Sequence, residues 1–196
     1  EQLSEAVTEQ TQRANFACID LFPGWPPSRG AVREAIGNPS ALTCLAGAMH
    51  CNKNSLAGVR MRQHCPVTCG CHLPNSALMW TSGRQGCPTT CSRTLSYVSV
   101  LNSTPCQDQS INTAAGSDLF LQWQQNLYDA VHDWSKEFAE PAQAVGVLVS
   151  LFGCAAIPLV KELEQAHGVD LCEGVFGLKG MRLMCPETCH CWAGRD

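Results

Sequence analysis

The chain holds 196 residues, of which 45% are hydrophobic and 15% charged, a balance that excludes a disordered chain. Thirteen Lys and Arg against seventeen Asp and Glu give a net charge of -4, with no basic stripe able to neutralise a phosphate backbone, so nucleic acid is not an expected partner. Fourteen cysteines, an even number far above cytosolic usage, point to a disulfide framework made in an oxidising compartment.

In chain order, the sequence begins at Glu1 without a basic or apolar leader and reads as a mature chain. Leu3, Val7 and Phe16 predict a weakly periodic helix over 4–17. Cys18-Ile19-Asp20 follows, then a Pro-Trp loop containing Pro23, Trp25, Pro26 and Pro27. Cys44, Cys51 and a run of Arg60, Met61 and Arg62 lead into Cys65-Pro-Val-Thr-Cys69-Gly-Cys71-His72. Residues 73–116 are rich in Ser, Thr, Gly, Asn and Pro and predict an irregular connector held by Cys87, Cys91 and Cys106.

Ser117 is placed to cap a helix whose apolar residues Leu119, Phe120, Trp123, Leu127, Val131, Trp134 and Phe138 recur at three and four. Its opposite face carries Gln124, Gln125, Asp129, Asp133 and Lys136. Pro141 predicts a break before a second helix over 142–166, divided near Pro158, so 117–167 reads as a helical hairpin. The uncharged run from Pro141 to Val160 is long enough to cross a bilayer. Its prolines, glycines and Gln143 instead favour a helix packed on protein. Cys154, Cys172 and Cys185-Pro-Glu-Thr-Cys189-His-Cys191 close the chain. The expected organisation is three segments: 1–72, 73–116 and 117–196.

The pentad Cys-Pro-x-Thr-Cys thus occurs three times, at Cys65, Cys87 and Cys185, and the first and third copies share a further Cys two residues on. Cysteines four apart on one helical turn face the same side, which lets several sulfurs leave a short element toward different partners. A zinc site built from Cys65, Cys69, Cys71 and His72 lacks the second ligand arm that such sites use, so disulfides are the expected chemistry and no metal.

From Cys18-Ile-Asp through Cys44, Cys51 and Cys65 to Cys69 and Cys71, the sequence resembles the ShK toxin-like domain, a six-cysteine module. The resemblance covers roughly 16–72 and, more weakly, 152–192. It implies a mainly α, disulfide-rich fold with two ShK-like cysteine knots flanking the connector and the hairpin. It also implies the bridges Cys18 to Cys71, Cys44 to Cys65 and Cys51 to Cys69. The first unit departs from the family in its long gap between Cys18 and Cys44 and in the single residue between Cys69 and Cys71. In the last unit only five of six positions match. The same logic implies Cys154 to Cys191 and Cys172 to Cys189, and leaves Cys185 to a partner among Cys87, Cys91 and Cys106 in a set of seven bridges.

Signatures of catalysis are missing: there is no Gly-x-Ser-x-Gly elbow, phosphate loop, His-Glu-x-x-His or EF-hand loop. The six histidines flank the knots or fall on presumed helix surfaces, and Asp129, Asp133 and Glu137 read as a solvated helix face. The family's toxin members use a Lys-Tyr dyad before the fourth cysteine. Val59 to Arg62 and Lys179 to Arg182 stand there instead, without the dyad. Asn102-Ser-Thr104 fits an N-glycosylation sequon followed by Pro105.

The expected protein is therefore not an enzyme and carries no cofactor. It is a structural subunit docked on the lumenal or extracellular face of a larger membrane-bound assembly. Its partners are other protein subunits, membrane contact is allowed for, and Trp25, Trp123 and Trp134 are the candidate interaction residues. Its Cys-Pro-x-Thr-Cys-x-Cys closes are similar to those of cysteine-rich proteins of dinoflagellate-type algae. That likeness implies the thylakoid lumen and an extrinsic photosystem or antenna subunit. The rival expectation is a secreted effector, toxin-like or carbohydrate-directed.

Overall fold

The structure, a computed structural model, describes residues 17–132, 136–162, 169–175 and 177–191, without the side chains of 132 and 136–138. The expected helix over 4–17, Trp134 and Trp192 fall outside the described residues, Ala17 excepted. The protein is mainly helical, with no strand among the described residues, and divides into two compact units, Glu1–Ser103 and Thr104–Asp196. The boundary falls inside the stretch expected to be a connector. Cys87 and Cys91 belong to the first unit and Cys106 to the second.

In the first unit, the expected Pro-Trp loop is the start of a helix, α1 (Pro26–Ala35). Two prolines at the first two positions remove N–H groups that would have no intrahelical acceptor, so they favour initiation there. α2 (Leu56–His64) is capped by Ser55, whose Oγ accepts from the Gly58 N–H at 3.3 Å. The one-turn helix α3 (Pro66–Cys69) carries the last four residues of the first pentad and ends at Gly70, with φ 83°. A fourth helix, α4 (Leu95–Ser103), corrects the expectation of an irregular connector: the Thr94 Oγ accepts from the Tyr97 N–H at 3.2 Å and starts it. The core of this unit is built on its eight cysteines together with Phe22, Val32, Ala41, Met61, Leu78 and Ile36.

The second unit contains the hairpin, α5 (Ala114–His132) and α6 (Lys136–Phe152), followed by the single-turn α7 (Ala156–Leu159). Two boundary expectations are corrected. The Thr113 Oγ accepts from the Gly116 N–H at 3.1 Å, so Thr113 caps α5 and Ser117 lies inside it. Pro141 lies within α6 and does not end it. The break comes at Gly153, whose φ of 57° no helix can continue. Phe120, Trp123, Leu127 and Val131 of α5 are buried together with Val145 and Val149 of α6 and Leu171, Val175, Leu178, Met181 and Met184 of the C-terminal segment.

All fourteen cysteines are paired. In the second unit the bridges are Cys106–Cys191, Cys154–Cys185 and Cys172–Cys189. In the first unit they are Cys44–Cys65, Cys51–Cys69, Cys18–Cys91 and Cys71–Cys87. The pairings expected for Cys44, Cys51 and Cys172 are those found. Three expectations are corrected: Cys18 does not meet Cys71, Cys154 does not meet Cys191, and Cys185 bridges locally to Cys154. The reason is the same in both units. A cysteine outside the expected window, Cys106 in one unit and the Cys87 and Cys91 pair in the other, takes the last sulfur of the close.

Candidate functional site

The two closes share one backbone turn, with Cys69 and Cys189 N–H donating to the Cys65 and Cys185 carbonyls. Each begins with Cys-Pro, so the first backbone position of the turn needs no acceptor, and each leaves the N–H groups of the next residues pointing outward without a capping side chain, because the cysteine ahead of the proline is committed to a bridge. A distant aspartate fills the gap. In the first unit Asp20 accepts from the Val67 N–H at 2.8 Å, the Thr68 N–H at 3.1 Å and the Thr68 hydroxyl at 2.6 Å. In the second, Asp108 accepts from the Thr188 N–H at 3.1 Å and from the Thr188 hydroxyl.

Asp20 stands two residues after Cys18, and Asp108 two residues after Cys106. The Cys-x-Asp pair is therefore the opening of each unit. The sequence reading found it once and missed it at Cys106, although the same two residue types at the same spacing were the available signal. The turn continues identically, with the Cys71 and Cys191 N–H groups donating to the Pro66 and Pro186 carbonyls. Between the last two cysteines the chain enters the left-handed region in both units, at Gly70 (φ 83°) and at His190 (φ 60°).

Ahead of each close lies the same Met-Arg pair. Met61 and Met181 are fully enclosed, and the arginines staple the knots by reaching backbone carbonyls. Arg62 donates from Nε to Gln85 O and from Nη1 to Cys51 O and Lys53 O. Arg182 donates from Nη1 to Cys189 O at 2.8 Å and Cys191 O at 2.6 Å, and from Nη2 to the Glu173 carboxylate. A planar fork with several donors suits this task, whereas an ammonium group does not. Burial lowers the Arg62 guanidinium to about 9 and the Lys179 amine to about 8. Burial, and then the charge of Lys53, hold His50 below its usual range.

These geometries decide where the candidate interaction residues stand. Val59, Met61 and Arg62 are buried in the first unit, as are Lys179 and Met181 in the second, so the stretches before the fourth cysteine have these side chains inside the fold and not on a surface. Trp123 is fully enclosed, with its indole N–H donating to Lys179 O at 2.9 Å, and belongs to the core of its unit. Trp25 is half-buried, its ring 6.4 Å from that of His64. Trp134 lies outside the described residues. Among the described residues, no group of three or more His, Cys, Asp or Glu is arranged to hold a metal ion.

Outward-facing apolar side chains are found elsewhere, and the sequence reading did not name them. Val147 and Leu151, one helical turn apart on α6, are exposed together with Phe152 and, on α7, Leu159. Their helix faces two ways, since Val145 and Val149 of α6 are buried. The span Ala139–Leu159 is long and apolar enough by length and composition to cross a membrane. In the first unit Leu42, Leu45 and Met49 are exposed in and just before the 3-10 helix Cys44–His50. No protein-family model, curated protein or solved structure matches the chain.

Proposed function

We propose that this chain is a non-enzymatic, disulfide-stapled structural subunit that docks through the outer face of α6 and α7 on a larger membrane-bound assembly. The observation that carries the reading is the exposure of Val147, Leu151, Phe152 and Leu159, within a stretch from Pro141 to Val160 that contains no charged residue. A set of large apolar side chains left in water is the usual mark of a surface covered by protein or by lipid. The seven bridges suit an oxidising compartment.

The second unit pairs its cysteines first to sixth, second to fourth and third to fifth, counting from Cys106. That order supports the ShK-like reading of the second unit, while the first keeps the second-to-fourth and third-to-fifth bridges and sends its first and sixth cysteines to Cys91 and Cys87. The likeness to cysteine-rich algal proteins makes the proposal concrete: an extrinsic lumenal subunit of a photosystem or its antenna, contacting other protein subunits. Isolation from the native source under mild detergent tests it. Co-migration with a membrane complex supports docking, and migration as a free 21.2 kDa species favours a secreted effector instead.

A further inference from the structure

The two units differ at one covalent point. In the second, the first cysteine of the module is joined directly to the last, Cys106 to Cys191, with Cα atoms 5.6 Å apart. In the first, the equivalent residues are Cys18 and Cys71, and the flanking hydrogen bonds shared with the second unit are those of Thr68 to Asp20 and of the Cys71 N–H to the Pro66 carbonyl. Yet Cys18 is bonded to Cys91 and Cys71 to Cys87, so the segment Cys87-Pro-Thr-Thr-Cys91 is spliced between the first and last cysteines of the module, which pack in one cluster. Cys87 and Cys91 are four residues apart in a single turn, with the Cys91 N–H donating to the Pro88 carbonyl at 3.0 Å. Cys71, Cys87 and Cys91 share one core cluster, and Cys18 packs against it as its half-buried member.

We propose that these four cysteines form a thiol–disulfide exchange centre, whose two bridges rearrange when a small external thiol engages them. The step conserves electrons. An external thiolate attacks the Cys18 sulfur, the most accessible of the four, giving a mixed disulfide and a Cys91 thiolate. That thiolate attacks the Cys87 sulfur, forming Cys87–Cys91 and releasing a Cys71 thiolate. The Cys71 thiolate then attacks Cys18, forming Cys18–Cys71 and returning the external thiolate. Two bridges are replaced by two bridges, nothing is oxidised or reduced overall, and the thiol acts catalytically. The outcome is a first unit closed as the second is, with the segment around Cys87 and Cys91, and α4 after it, released from covalent attachment to the knot.

The test uses the intact protein in dilute glutathione, quenched with acid and digested with trypsin without reduction. Cleavage after Arg84 and Arg93 frees residues 85–93, which hold both Cys87 and Cys91. In the untreated protein this peptide is tied to those of Cys18 and Cys71. It is expected to appear alone with an internal bridge, in step with a Cys18–Cys71 bond that joins peptide 14–29 to the linked peptides 34–53 and 63–84, and with no gain in free thiols. Loss of Cys18–Cys91 and Cys71–Cys87 to free or glutathione-capped cysteines, or an unchanged map, overturns it. A second measurement is independent of the exchange rate: in the variant Cys87→Ser with Cys91→Ser, Cys18 and Cys71 are expected to bridge and resist alkylation. Two alkylated cysteines beside intact Cys44–Cys65 and Cys51–Cys69 bridges contradict the proposal.

Discussion

Asp20 and Thr68, 48 residues apart in the chain, are joined twice: the Thr68 hydroxyl donates to one carboxylate oxygen at 2.6 Å and its backbone N–H to the other at 3.1 Å. Asp108 and Thr188 repeat the arrangement across 80 residues. A short helix that opens on a bridged cysteine cannot be capped from its own N-cap side chain, so the cap is delivered from the start of the module. Asp20→Ala and Asp108→Ala are each expected to lower stability by about 1–2 kcal/mol through the N–H groups left without an acceptor. Chemical denaturation of the oxidised protein measures this. Equal stability of variant and parent would mean that the bridges alone set the turn.

The residue between the last two cysteines has a left-handed backbone in both units, but only the first unit uses glycine there. His190→Gly is therefore expected to stabilise the second unit by about 1 kcal/mol, since a side chain in that region carries a steric cost that glycine lacks. Gly70→Ala is expected to do the opposite and by more, because an added Cβ would also lie 2.8 Å from the Ser76 Cβ. Thermal unfolding of the two variants checks both signs.

Lys179 is buried, and burial holds its amine at about 8, below the ordinary 10.5. A lowered lysine pKa means that the folded chain gives up its proton first, so between about 8 and 10.5 the unfolded chain binds more protons and stability rises with pH. Lys179→Met should remove that rise. Urea midpoints of parent and variant, compared from neutral to mildly alkaline pH, are expected to differ most at the neutral end, and a constant difference would assign the amine an ordinary pKa.

Much of this architecture was legible in the residues. The repeated pentad announced the two closes, the helical period of Phe120, Trp123, Leu127 and Val131 announced the hairpin core, and the pairings of Cys44, Cys51 and Cys172 followed from the resemblance. What was not legible had local physical causes. Cys106 was passed over because a 47-residue stretch containing the hairpin separates it from Cys154, and spacing windows fail across an inserted element. Its partner signal, Asp108, gains meaning only once it is seen to cap Thr188. Pro141 looked like a terminator, yet a proline in the early turns of α6 forfeits one hydrogen bond without ending the helix, whereas Gly153 adopts a conformation that ends it. The aromatic stripe drew attention to Trp123 as a contact residue, but burial places it in the core and leaves the outer face to Leu151 and Phe152.

That outer face gives a prediction of its own. Leu151→Glu with Phe152→Glu places two charges where apolar side chains meet solvent, so the isolated protein is expected to keep its unfolding midpoint within error. Its retention in a detergent-solubilised complex from the native source is expected to fall at least tenfold, as buried charge at an interface opposes association. Unchanged retention would remove α6 from the docking surface.

The central claim is that one covalent module, opened by Cys-x-Asp and closed by Cys-Pro-x-Thr-Cys-x-Cys, was used twice in this chain. Its most direct test is a peptide map of the native disulfides by mass spectrometry without reduction. The expected bridges of the second unit are Cys106–Cys191, Cys154–Cys185 and Cys172–Cys189. A Cys154–Cys191 bridge, or a bond from Cys185 to Cys87, Cys91 or Cys106, would contradict the claim.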